Sequence, residues 1–184
     1  ISTDQDDDPY LGFMRPFDSD FAAMTTPGKV VKKFQDAVSD LGIFGDASEF
    51  VFYNFHRMMT TIPFSSFFRP DAHLAVIMVT DEKEQSQKEF GPQFEPLSFV
   101  NTISNLRGTD KVLRFYGAFN FHDLQSCGYS SEPPYNGSPF EDVINETGGL
   151  YMSACTRDFG TDLADIGKDI LSIVDSPKML LKNR

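Results

Sequence analysis

Leu74-Ala75-Val76-Ile77-Met78-Val79, running into Thr80-Asp81-Glu82, is the stretch on which the fold turns. Six apolar residues in a row, several of them branched, stop abruptly at a polar, acidic end. A run without apolar–polar alternation predicts a strand of a parallel sheet, covered on both faces and fully buried. Two further strands are expected downstream, at Val112–Phe119 and Leu150–Ala154, each opening into a polar loop.

Helical patterns separate these strands. Residues 28–41 carry Val30, Val31, Phe34, Val38 and Leu41 at helical spacing, with Gly42 placed to stop the helix. Val51, Phe55, Met58 and Met59 mark a second stripe, which Phe50, Phe52 and Tyr53 widen, so that helix is expected to be covered on more than one side. Lys83–Pro92 is expected to be a polar loop. A helix from about Pro96 to Leu106 then carries Phe99, Val100, Ile103 and Leu106 as its apolar positions. Ser138-Pro139-Phe140-Glu141 has the capping-box pattern of a helix start, and Gly148-Gly149 ends that helix. Thr161 is expected to cap a last helix carrying Leu163, Ile166, Ile170 and Val174, with Pro177 beyond its end.

Strand and helix alternating three times over predict right-handed crossovers and a mostly parallel α/β sheet with helices on both faces. The 184 residues read as one domain: an irregular acidic segment over 1–27 and a helix and strand core over 28–177. Nineteen Phe and no Trp mean a core built on phenyl rings.

Sixteen basic against 27 acidic residues leave a formal charge of −11. Phosphate backbones and anionic membrane surfaces call for a basic face, so nucleic acid is excluded as a partner, as is electrostatic membrane binding. No apolar run approaches the roughly 20 residues that span a bilayer. Ile1-Ser2-Thr3-Asp4 carries no leader pattern.

Function in parallel α/β sheets collects at the carboxyl ends of the strands. There the expected topology puts Cys127 and Cys155 at one edge, just past neighbouring strands. A disulfide between them is the expectation, with an oxidising compartment as its corollary; two unrelated thiols in a reducing compartment are the alternative. Asp81 at a strand tip has the position of a divalent-cation ligand, or of a residue that caps the next turn. Asp4, Asp6, Asp7 and Asp8 form either a solvated loop or a second cation-binding loop. No nucleophile elbow, phosphate loop or dinucleotide fingerprint is present, so the chain reads as non-catalytic.

Phe68 to Glu82 resembles the fourth strand of bacterial von Willebrand factor type A domains. Ile1-Ser2-Thr3-Asp4 is similar to the end of that family's second strand, Gly42–Glu49 to the loop opening its third helix, and Gly148–Cys155 with Asp158-Phe159 to its sixth strand and the approach to the last helix. The resemblance implies a three-layer α/β/α Rossmann-like fold. It also implies a metal-ion-dependent adhesion site, with Asp81 as one ligand and Ser48 or Asp46 in the region of another. The cation would be Mg²⁺, or Ca²⁺ or Mn²⁺, and the partner a protein presenting an acidic residue to it. The location would be the periplasm, the bacterial surface or the exterior. The family's Asp-x-Ser-x-Ser loop after strand one is absent, and no Thr stands near Ser48. The alternative is therefore a metal-free interaction domain of the same fold. Strand one is expected in a preceding segment or from another molecule, because a sheet without it would leave unpaired edges.

Overall fold

The computed structural model describes residues 50–61, 68–69, 72–80, 83–108, 110–119, 138–154, 156 and 158–174, together with Lys32, which is helical and exposed. In chain order the elements are α1 (Val51–Thr60), β1 (Leu74–Val79), α2 (Ser86–Phe90), a 3-10 turn (Pro92–Phe94), α3 (Pro96–Arg107), β2 (Leu113–Phe119), α4 (Ser138–Thr147), β3 (Tyr151–Ser153) and α5 (Phe159–Val174). The three strands form one parallel sheet in the order β1-β2-β3. Val76 pairs with Phe115 and Ile77 with Tyr116, while Ala118 pairs with Met152. The mixed α/β character, the parallel pairing and the three strand positions agree with the sequence.

Period-two alternation sends Leu74, Val76, Met78, Phe115 and Phe119 to one face. The buried sides of α1, α3 and α4 meet them there: Phe52, Phe55, Met59, Phe99, Ile103, Phe140, Val143 and Ile144. Phenyl rings do much of the packing, as the composition implies. Phe52 stacks on Phe99 with ring centres 4.4 Å apart, Phe119 stacks on Phe140 at 5.0 Å, and Phe55 meets Phe115 edge-on at 5.6 Å. Asn54 of α1 is buried as well, with neither side-chain polar atom bonded. A buried amide of that kind costs about 1–3 kcal/mol.

The opposite face is thinner. Tyr116, Ala118 and Met152 pack there against Ile166 and Ile170 of α5. Asp169 of the same helix accepts hydrogen bonds from the Tyr116 hydroxyl at 2.7 Å and from Arg114 Nη1 at 2.8 Å, pinning α5 to β2.

On this second face the expectation of a fully buried β1 fails. Ile77 is 44 % exposed and Val79 69 %, and only Met78 of the strand is fully buried. Among the described residues β1 is an edge strand, and α5 lies over β2 and β3.

Two other expectations are corrected. Lys83–Pro92 is not simply loop: it holds α2 and leads into the 3-10 turn, and Tyr53 stacks on Phe90 at 3.7 Å. The cap of α5 is Asp158, whose Oδ1 accepts the N–H of Thr161 at 3.3 Å, so the helix starts before Thr161. The glycine stop of α4 is as expected. Gly148, at φ 71°, and Gly149 donate their N–H groups to Asn145 and Ile144, closing a Schellman motif. A Cβ on Gly149 would come within 1.8 Å of the Phe115 carbonyl oxygen, so that close approach of backbones requires glycine.

Candidate functional site

The chain leaves β1 at the carboxyl edge through Thr80, whose N–H donates to the Ala118 carbonyl at 3.3 Å. Thr80 is buried. A few residues on, Glu84 and Ser86 turn back against the start of α1. That helix begins after Phe50, a residue with no side chain able to cap it. The cap comes from afar. Glu84 Oε2 accepts the N–H of Phe52 at 3.2 Å, and Ser86 Oγ accepts the N–H of Tyr53 at 3.0 Å. The second oxygen of Glu84 accepts the N–H of Ser86 at 2.6 Å, which holds the two capping groups in register.

A carboxylate at a helix N-terminus meets both unpaired N–H groups and the positive end of the helix dipole. Burial nevertheless pushes the Glu84 carboxyl above its ordinary range; hydrogen bonds from Ser86, Phe52 and Val51 offset only part of this. Both oxygens are therefore engaged in holding backbone, and Glu84 is poorly suited to bind a cation.

The geometry brings together the flanks of two sequence-predicted segments. Thr80 and Lys83 border Asp81-Glu82 in sequence, and Phe50 directly follows the stretch of sequence that holds Asp46 and Ser48; the Glu84 and Ser86 bonds join the described flanks of these two stretches. Asp81, Asp46 and Ser48 themselves lie outside the described residues, as do Asp4, Asp6, Asp7, Asp8, Cys127 and Cys155. Among the described residues no group of three or more His, Cys, Asp or Glu side chains is placed to hold a metal ion. The ends of β2 and β3 lie side by side, the Ala154 N–H donating to the Phe119 carbonyl at 2.6 Å.

At the opposite end of the sheet the fittings are structural. His73 Nδ1 accepts the Val112 N–H at 2.9 Å. Arg107, buried at the end of α3, donates to the carbonyls of Arg69 and Ala72 and fixes the approach to β1. One open cleft of about 460 Å³ lies between α3 and α4, lined by Glu95, Pro96, Leu97, Asp142, Asn145 and Glu146. Three carboxylates and one amide over two apolar residues repel anions but make no catalytic set.

Glu84 and Ser86 are the residues that a reading of the sequence misses. A residue pair that caps a helix 32 positions upstream leaves no local pattern. No described helix is long and apolar enough to cross a membrane. Comparison with protein-family models, curated proteins and solved structures gives no significant match.

Proposed function

We propose that this chain is a non-catalytic adhesion or protein–protein interaction module of the von Willebrand factor type A kind, with a three-layer α/β/α fold. It would act at a bacterial surface, in the periplasm or outside the cell. The observation that carries the reading is the junction at the carboxyl edge, where the loop leaving β1 is bonded to the start of α1. In the family it resembles, the residue ending that strand and the loop opening that helix supply two of the three parts of the site, the third being the Asp-x-Ser-x-Ser loop. Parallel strands in the order β1-β2-β3 also suit one half of a doubly wound sheet.

The proposed donors are Asp81 with Asp46 or Ser48. All are oxygen ligands, a set that suits a hard divalent cation, Mg²⁺ first and Ca²⁺ or Mn²⁺ as alternatives. Such an ion, bound by few carboxylates, supplies residual positive charge for an acidic residue of a partner protein. Glu84 serves the site from outside it, by holding the start of α1 against the loop that carries Asp81.

A metal-free interaction domain of the same fold is the second reading. It is favoured by the commitment of Glu84 to backbone amides and by the absence of an Asp-x-Ser-x-Ser loop. Calorimetric titration of the whole chain with Mg²⁺, Ca²⁺ and Mn²⁺ separates the two. Saturable heat that disappears in Asp81→Ala is the expected outcome. No heat with any of the three ions establishes the metal-free reading, and heat retained in Asp81→Ala moves the site to Asp4–Asp8.

A further inference from the structure

The uncovered face of β1 is the largest inconsistency in the described fold. Ala75, Ile77 and Val79 stand on the side of the sheet that α5 covers over Tyr116 and Ala118, yet Ile77 and Val79 face solvent. Two branched side chains beside a packed helix favour being covered, at about 25 cal/mol per Å² of apolar surface removed from water. We infer that this face is the docking surface for the amphipathic segment 28–41 of the same chain. The inference goes beyond the adhesion reading and does not depend on it.

Three observations select this occupant. First, Lys32 is helical and exposed. On a helix over 28–41 it lies opposite the stripe of Val30, Val31, Phe34, Val38 and Leu41, so that stripe is the side in need of a partner. Second, the chain reaches. Residues 42–49 connect the segment to Phe50 and span up to roughly 26–29 Å when extended. The start of α1 is bonded to the loop leaving β1, so the connector ends beside this strand, on the other side of the sheet. With layers about 10 Å apart, helices on opposite faces stand about 20 Å apart, within the connector's span. Third, the charges are compatible. Segment 28–41 carries Lys29, Lys32 and Lys33 in its first half and Asp36 and Asp40 in its second, and α5, the neighbour it would lie beside, carries Asp162, Asp165 and Asp169 against Lys168, with Asp165 already paired to Lys168 and Asp169 to Arg114.

The contact can be read directly in the full chain with a photoreactive p-benzoylphenylalanine in place of Val79, an exposed position that accommodates a larger side chain. After irradiation, peptide mass spectrometry is expected to find the crosslink within residues 28–41, at the mass of a single chain. A crosslink at twice that mass would show that a second copy covers the face. A crosslink to another segment, or none, would likewise overturn the assignment. Hydrogen exchange provides an independent reading. Amides of residues 30–41 should exchange at least tenfold more slowly in the parent chain than in a free 28–41 peptide. Val79→Lys should remove most of that protection and leave α4 unchanged. Exchange at the free-peptide rate in the parent chain would overturn the proposal.

Discussion

Tyr116 shows how one side chain can report on the joint between sheet and helix. Burial, then the hydrogen bond to Asp169 and that residue's negative charge, push its hydroxyl from 10.0 up to about 12, while Arg114 pulls the other way. A raised value means that the folded state holds the proton longer than the unfolded one. The stability it contributes is complete below about pH 10 and is lost as the pH climbs through about 12. Asp169 behaves oppositely. Burial pushes it up, but the bonds from Tyr116 and Arg114 and the Arg114 charge outweigh this and hold it below 3.8. Its contribution is present above that value and disappears as the pH falls through the folded one. Urea unfolding across pH 9–12 should therefore show an alkaline loss of stability in the parent chain. In Tyr116→Phe most of that slope should be gone; an unchanged slope would place its origin in other groups.

At the scale of elements, α1 owes its start to a residue that follows β1. Glu84→Ala removes an acceptor from the Phe52 and Ser86 N–H groups at once, and loss of a helix cap costs about 0.5–2 kcal/mol. We expect chemical denaturation to register a loss in that range, with Glu84→Gln recovering part of it, because the amide oxygen still accepts one bond. Full stability in Glu84→Ala would mean that water or another group caps the helix equally well. The strands, the helices α1, α3, α4 and α5 and the parallel pairing were legible because apolar runs and helical stripes are local signals, whereas the five-residue α2 in a polar stretch was not. The exposure of Ile77 and Val79 was not, since six apolar residues in succession carry no period-two mark of which face is covered. The capping role of Glu84 was not legible either, because its partner is distant in sequence. Of the candidate site, Asp81, Asp46 and Ser48 were singled out from the sequence, and what the structure adds is the bonding that joins their flanks.

For the whole molecule, the disulfide expected between Cys127 and Cys155 involves residues outside the described ones; the strands they follow in the chain, β2 and β3, end side by side. A bridge closing a loop of about 30 residues stabilises a domain by roughly 3–4 kcal/mol. Alkylation of the native, unreduced protein should therefore leave both thiols unmodified, and reduction should lower the unfolding midpoint. Labelling of both cysteines without reductant would remove the disulfide and, with it, the argument for an oxidising compartment. The capping of α1 by Glu84 and Ser86 has a last consequence, for biosynthesis. A ribosome makes α1 first and its cap only after β1, and the first of these bonds spans 32 residues. At about 5–20 residues per second, the nascent helix waits roughly two to six seconds with its first turn open. For most of that interval Phe52 and Phe55, destined for the core, have neither β1 nor the cap to hold them. This is the window in which a chaperone that binds aromatic-rich segments would meet the growing chain.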